Sequence, residues 1–235
     1  MLSNHFLALA ITLGIAFSWL RINDFSANKG WVSSQVSRKI IHIGTGPIFV
    51  LCWLLFPETD LSPYLAAVVP LIISIQFALV GLGFIQDPAA VKAMSRSGQR
   101  QEILRGPLYY GLVFVILTIL FWRNSPIGMI ALMTLCGGDG LADVAGKSLG
   151  KIHLPWSKRK TLLGSLTMFL GSFVFSTFIL WIFILQGYFS GLISDYYLKI
   201  ALISVLATIV ESLPYSDIDN ITVPATAIII AYLVF

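Results

Sequence analysis

Two carboxylates four residues apart, Asp139 and Asp143, sit within the apolar stretch that carries GGDGLADVAGKSLGK. At helical spacing they share one face, and Lys147 extends it by another four residues. An ionisable group inside a membrane-length apolar segment costs about 2.5–3.5 kcal/mol on insertion scales. Two in one segment are therefore expected to do chemistry, and carboxylate oxygens are what a hard divalent cation takes. Gly138, Gly140, Gly146 and Gly150 crowd the same turns, where a missing side chain permits close backbone approach. Lys151, Lys158, Arg159 and Lys160 follow, and then Gly164 and Ser165. Carboxylates for Mg²⁺, backbone amides and ammonium groups for phosphate are the ingredients of nucleotide chemistry. No GxxxxGK[ST] occurs, so this is not a Walker A loop. The alternative for the acids is that they mark the end of a span near headgroups. For the lysines it is that they anchor a cytoplasmic loop.

A second group of oxygen-bearing side chains, Glu211, Asp217, Asp219 and Asn220, lies in ESLPYSDIDN, bracketed by Pro214 and Pro224. It suits a further metal- or hydroxyl-orienting site, and a solvated loop is the plain alternative. Lys39 and His42 stand three apart in SRKIIHIGTG, one helical face again. On residue type alone they read equally as a basic anchor and a packed histidine. QEILRGPLYYG, with Glu102 and Arg105, reads as an interfacial helix with an aromatic belt at Tyr109 and Tyr110.

Positioning these groups falls to long apolar segments. The chain has 235 residues, 57% hydrophobic and 11% charged, with mean hydropathy +0.87. A soluble chain carries about 25% charged residues, so this is an integral membrane protein. A crossing needs roughly 20 apolar residues. The fold class expected is all-α: a multispanning helix bundle with about seven to eight transmembrane helices. The spans are placed near 5–20, 40–56, 64–85, 107–122, 127–145, 162–185, 197–210 and 221–235. The first run lacks the basic start and cleavage site of a signal peptide and is read as a retained span. Cys52 and Cys136 are the only cysteines and support neither a disulfide framework nor a zinc site. A net charge of +4 requires no nucleic acid.

Lys and Arg concentrate in the loops after the first, third and fifth spans. Positive loops stay cytoplasmic, so the N-terminus is expected outside. The loop 211–220 then falls on the face where the fifth span ends. The chain is read as one polytopic domain, 1–235, with its active site at the cytoplasmic face.

Taken together, SRKIIHIGTG, EILRGPLYYG, GGDGLADVAGKSLGK with SKRKTLLGS, and ESLPYSDIDNITVPATA resemble the polyprenol kinase family, which includes dolichol and phytol kinases. The likeness spans nearly everything after the first run. EILRGPLYYG and ESLPYSDIDNITVPATA look most like phytol kinases. Leu163 stands where dolichol kinases usually carry Glu, which fits the phytol branch. The resemblance implies CTP-dependent phosphorylation of a long-chain, phytol-like isoprenoid alcohol drawn from the membrane lipids, giving a monophosphate and CDP. It implies Mg²⁺, held by Asp139 and Asp143. It implies a CTP-binding stretch comprising Gly138, Gly140, Gly146, Lys147, Gly150, Lys151, Lys160, Gly164 and Ser165. Lys39, His42, Glu211, Asp219 and Asn220 join the two aspartates as candidate catalytic residues. Phytol kinases serve phytol salvage and tocopherol supply in plastids and cyanobacteria, so a bacterial or plastid membrane is expected, with the site facing cytoplasm or stroma. Two other readings stay open: a lipid cytidylyltransferase, which releases pyrophosphate, and a small-solute transporter, which needs no nucleotide. A CDP-alcohol phosphotransferase is rejected, because Asp143 replaces the Arg of its DGxxAR signature.

Overall fold

The structure, a computed structural model, describes residues 1–95, 97–214 and 218–235, without the side chain of residue 34. Among the described residues seven helices are long and apolar enough to cross a membrane, and a shorter apolar helix, Asp219–Val234, follows them. The multispanning all-α bundle is thus the observed fold. The chain divides into two compact units, Met1–Leu120 and Phe121–Phe235.

The first unit holds α1 (His5–Asn28), α2 (Ser34–Cys52), α3 (Ser62–Leu82), α4 (Pro88–Met94) and nearly all of α5 (Gly106–Phe121). α1 starts where the Asn4 side chain accepts the amides of Phe6 and Leu7, a side-chain cap on otherwise orphan donors. It continues past the expected end at Leu20. Asn23 donates to the Trp19 carbonyl at 2.8 Å, and Asp24 lies 3.7 Å from Arg21, so these polar residues are satisfied within the helix. α2 begins six residues before the expected Ile40. Ser33 accepts the Val36 amide, and Arg38, Lys39 and His42 therefore lie inside the helix. In the polar stretch after α3, Asp87 caps α4 through the Ala90 amide at 3.0 Å. Ala93, Met94 and Ile103 of this stretch then join Ala27, Ile41, Phe77 and Val80 in one buried cluster.

The second unit is built on a span that is the most enclosed of the seven: Pro126–Ser148 has 78% of its apolar window buried, against 44% or less elsewhere. It comprises α6 (Pro126–Met133), a π-helical turn (Thr134–Asp139) and α7 (Gly140–Ser148). α8 (Leu162–Leu185), α9 (Tyr197–Glu211) and α10 (Asp219–Val234) pack around it. Before α6, buried Arg123 donates to the Tyr188 hydroxyl at 3.0 Å and lies over the Trp122 and Tyr188 rings, tying the start of α6 to the loop after α8. The basic loop between α7 and α8 is not all coil. It forms an antiparallel hairpin, β1 (His153–Leu154) with β2 (Ser157–Thr161).

Candidate active site

The π turn places the first acid. A π turn carries one more residue per hydrogen-bonded loop than an α turn and occurs mostly at functional sites. Here it ends on Asp139, and glycines let α8 press against it. A Cβ on Gly137 would meet the Phe175 ring. One on Gly138 would meet the Ser172 hydroxyl, with the Met168 sulfur at 2.8 Å, and Gly171 faces the Gly137 carbonyl. Small residues of this kind let membrane helices approach at backbone distance. The same holds one turn on: the Cβ sites of Gly146 and Gly164 each lie 3.4 Å from the other's Cα. Gly138, Gly146 and Gly164 thus have a packing role that their types alone did not separate from phosphate binding.

The hairpin delivers a cation. Thr161 at its end accepts the Gly164 amide at 3.1 Å and so caps α8. Leu162 donates to the Ile152 carbonyl at 2.9 Å. Between these fixed points the Lys160 ammonium pairs with Glu211 Oε1 and donates to Asp219 Oδ2 at 3.2 Å. Glu211 is the last residue of α9 and only 4% exposed. Asp219 opens α10. The hairpin has a second attachment beside the first: the Trp156 indole N–H donates to the Ser212 carbonyl at 3.1 Å.

Asp139, Glu211 and Asp219 converge from three helical segments, one oxygen of each within 4.8 Å of the others. Burial disfavours the charge on Lys160, but Glu211 and Asp219, with Asp139 behind them, outweigh it and hold the ammonium's pKa above the ordinary 10.5. Three carboxylate oxygens at this spacing form a donor set that fits a hard divalent cation.

The remaining sequence candidates fall in several places. Asp143 pairs with Lys147 at 2.7 Å on α7, and the oxygens that gather with Asp139 come from Glu211 and Asp219. Lys147 and Lys151 are exposed, and Gly140 is buried. A Cβ on Gly150 would meet Thr161. The Ser165 hydroxyl is buried, with no hydrogen-bond partner among the described residues. Asn220 follows Asp219 in the first turn of α10. Lys39 and His42 belong to the first unit, where the His42 ring packs on Tyr110 at 4.6 Å and the Tyr110 hydroxyl donates to the His42 carbonyl at 2.7 Å. Asp217 lies outside the described residues. The sequence reading missed Trp156 and Ser212; an indole set among lysines was the one available signal.

Fold and site define a multispanning helical membrane protein in which carboxylates from three helical segments gather round one hairpin lysine. The chain is 39% identical to a probable chloroplastic phytol kinase of Triticum aestivum, over 97% of its own length and 76% of the relative's. It is 36% identical to phytol kinase 1, chloroplastic, of Arabidopsis thaliana, over 97% and 76%. It is 40% identical to a probable chloroplastic phytol kinase 2 of Oryza sativa subsp. japonica, over 96% and 75%. No family model matches the chain. No solved structure matches it. The chain belongs to the phytol kinase and polyprenol kinase family, and by that membership it is a kinase.

Proposed function

We propose that this protein transfers the γ-phosphoryl group of CTP to the hydroxyl of phytol or a closely similar isoprenoid alcohol, releasing CDP. The observation that carries the reading is the meeting of Asp139, Glu211 and Asp219 around Lys160 in a chain whose relatives are named phytol kinases. Phosphoryl transfer passes through a loose transition state, so positioning and charge neutralisation outweigh a strong base. The alcohol oxygen bonds to the γ-phosphorus as the bond from that phosphorus to the bridging oxygen breaks, and CDP departs. Asp219, with 24% of its side chain exposed against 5% for Glu211, takes the hydroxyl proton late. Lys160 neutralises charge on the transferring group, and exposed Lys147 and Lys151 steer the nucleotide. Asp139, Glu211 and Asp219 would hold Mg²⁺. Bound there, the ion supplies charge neutralisation and orientation of the phosphate oxygens.

The alcohol reaches the site from the bilayer and CTP from the cytoplasm or stroma. The basis is the concentration of Lys and Arg in alternate loops. Cysteines placed at Ser97 and Lys158, both exposed, should react with an impermeant thiol reagent only from the cytoplasmic side; labelling of Lys158→Cys from the other face would remove the site from its CTP pool.

Purified protein incubated with labelled CTP, Mg²⁺ and a panel of isoprenols tests the reaction. Labelled alkyl monophosphate with CDP is expected. Pyrophosphate with a CDP-lipid would instead indicate a cytidylyltransferase, and no nucleotide turnover would leave transport.

A further inference from the structure

The first unit contains a cleft that the proposed reaction does not use. It lies between the end of α3, α4 and the 3₁₀ turn Arg100–Leu104, and its volume is about 490 Å³, within the usual range for ligand pockets. Val80, Ile85 and Val91 supply apolar wall, and Lys92 and Arg100 supply two cations. Asp87 also lines it, but its carboxylate is engaged on both oxygens, capping Ala90 at 3.0 Å and facing Arg21 at 3.4 Å. Among the described residues neither Lys92 nor Arg100 has a carboxylate partner. Lys92 reaches only the Asn28 carbonyl, at 3.5 Å.

The position of Arg100 is built rather than incidental. Its guanidinium lies against Gly83, the residue that ends α3 at φ +90. A Cβ at Gly83 would meet the guanidinium, so this glycine both turns the chain and makes room for the cation. Beside the cleft, Leu82 at the C-terminal end of α3 and Phe84 just after it are 57% and 77% exposed. A basic loop at this level often serves only as a topological anchor, which needs neither a cavity nor an apolar wall. Two cations with no carboxylate partner among the described residues, set over such a wall, match an amphiphile with a phosphate head, and guanidinium binds phosphate oxygens in pairs.

We propose that this cleft binds the phosphodiester headgroup of an anionic membrane phospholipid, with Arg100 and Lys92 on the phosphate and the lipid's first apolar carbons along Val80, Ile85 and Val91. This stands apart from the kinase reading. The whole protein in detergent micelles is titrated with phosphatidylglycerol, phosphatidylcholine or inorganic phosphate, following lipid adducts by native mass spectrometry and Tm by thermal shift. Wild type should bind phosphatidylglycerol at least about tenfold more tightly than phosphatidylcholine. Lys92→Gln with Arg100→Gln should erase that preference and leave the lipid-free Tm in place. Equal binding of the two lipids by wild type, or a preference that survives in the double variant, overturns the proposal. Stabilisation by inorganic phosphate alone, lost in the double variant, shows a free-anion site and overturns the lipid assignment. Should the double variant not fold, a photoreactive phosphatidylglycerol on wild type decides: label within residues 80–100 supports the cleft, and label confined elsewhere rejects it.

Discussion

Lys160 on the second strand of the hairpin pairs with Glu211 at the final residue of α9, 51 positions along the chain. Together with the Trp156–Ser212 hydrogen bond beside it, the pair ties the hairpin to the end of that helix. Site assembly and hairpin docking are therefore one event.

Removing that ammonium leaves Glu211 buried without its partner, which costs about 3 kcal/mol for a pair of this burial. Lys160→Gln should lower Tm in detergent accordingly. It also removes the group that competes with a divalent cation for the same oxygens. Mg²⁺ should then raise the Tm of the variant more than that of wild type. Equal Mg²⁺ shifts in the two proteins would show that the cation binds elsewhere.

The pH dependence has a definite sign. The pKa of Lys160 is higher in the folded protein than the ordinary 10.5. Its contribution to stability is then complete below about 10.5 and disappears as pH rises through the elevated folded value. Thermal melts from pH 7 to 10 should show a level gap between wild type and Lys160→Gln, narrowing only above that range. A gap that closes between pH 8 and 10 contradicts the carboxylate environment described.

Among the carboxylates, Asp139→Asn and Asp219→Ala should each lower kcat at least about tenfold, or roughly 1.4 kcal/mol of barrier. Asp143→Asn should cost less, because Asp143 pairs with Lys147, whose side chain is 64% exposed. Steady-state kinetics at saturating Mg²⁺ with circular dichroism as a folding control would decide. The reverse order of effects would move the centre of the site onto α7.

Trp156→Phe keeps an aromatic ring, though a smaller one, and deletes the N–H that reaches Ser212, at a cost of about 1 kcal/mol. The hairpin should loosen at that end, and Lys160 should acylate faster relative to exposed Lys158 in peptide mass mapping. An unchanged ratio would mean that Thr161 and the Lys160 pair hold the hairpin unaided.

Gly138→Ala drives a methyl group into the Ser172 hydroxyl and towards the Met168 carbonyl at 3.1 Å. Overpacking of this kind costs about 1–3 kcal/mol. Tm should fall, and Ser172→Ala in the same chain should recover part of the loss. A neutral Gly138→Ala would show that α8 yields at this crossing.

Much of the bundle was legible because apolar runs between charged loops have few other uses. α8 was read at its observed ends, Leu162 and Leu185, since a basic loop and Gln186 bound it. Boundaries failed where polar residues find partners inside a helix, as Asn23 does with Trp19 and as the Ser33 cap does ahead of Arg38. Charge alternation brought the loop 211–220 to the face where Asp139 lies, and ESLPYSDIDN carried its acids openly. What no periodicity revealed was the hairpin, because its first strand is only His153–Leu154, its second is made of serine, lysine, arginine and threonine, and both answer to α8 and α9 rather than to their own propensity. The π turn was equally hidden, for its spacing is settled by how closely Gly137 and Gly138 meet α8.

That turn sets a rule for how the segment can change over time. A π turn is an α-helix holding one surplus residue. Losing a residue from the regular helix on either side would swing whatever lies beyond by about 100°, whereas losing one within 134–139 lets the span relax to regular helix with the flanking segments facing nearly as before. A deletion in α6 would thus take Asp139 away from Glu211 and Asp219 although every apolar contact partner kept its type. In a lineage of such chains, the turn is the one place in this span where a single-codon deletion is absorbed, and anywhere else in it the same deletion is an abrupt loss.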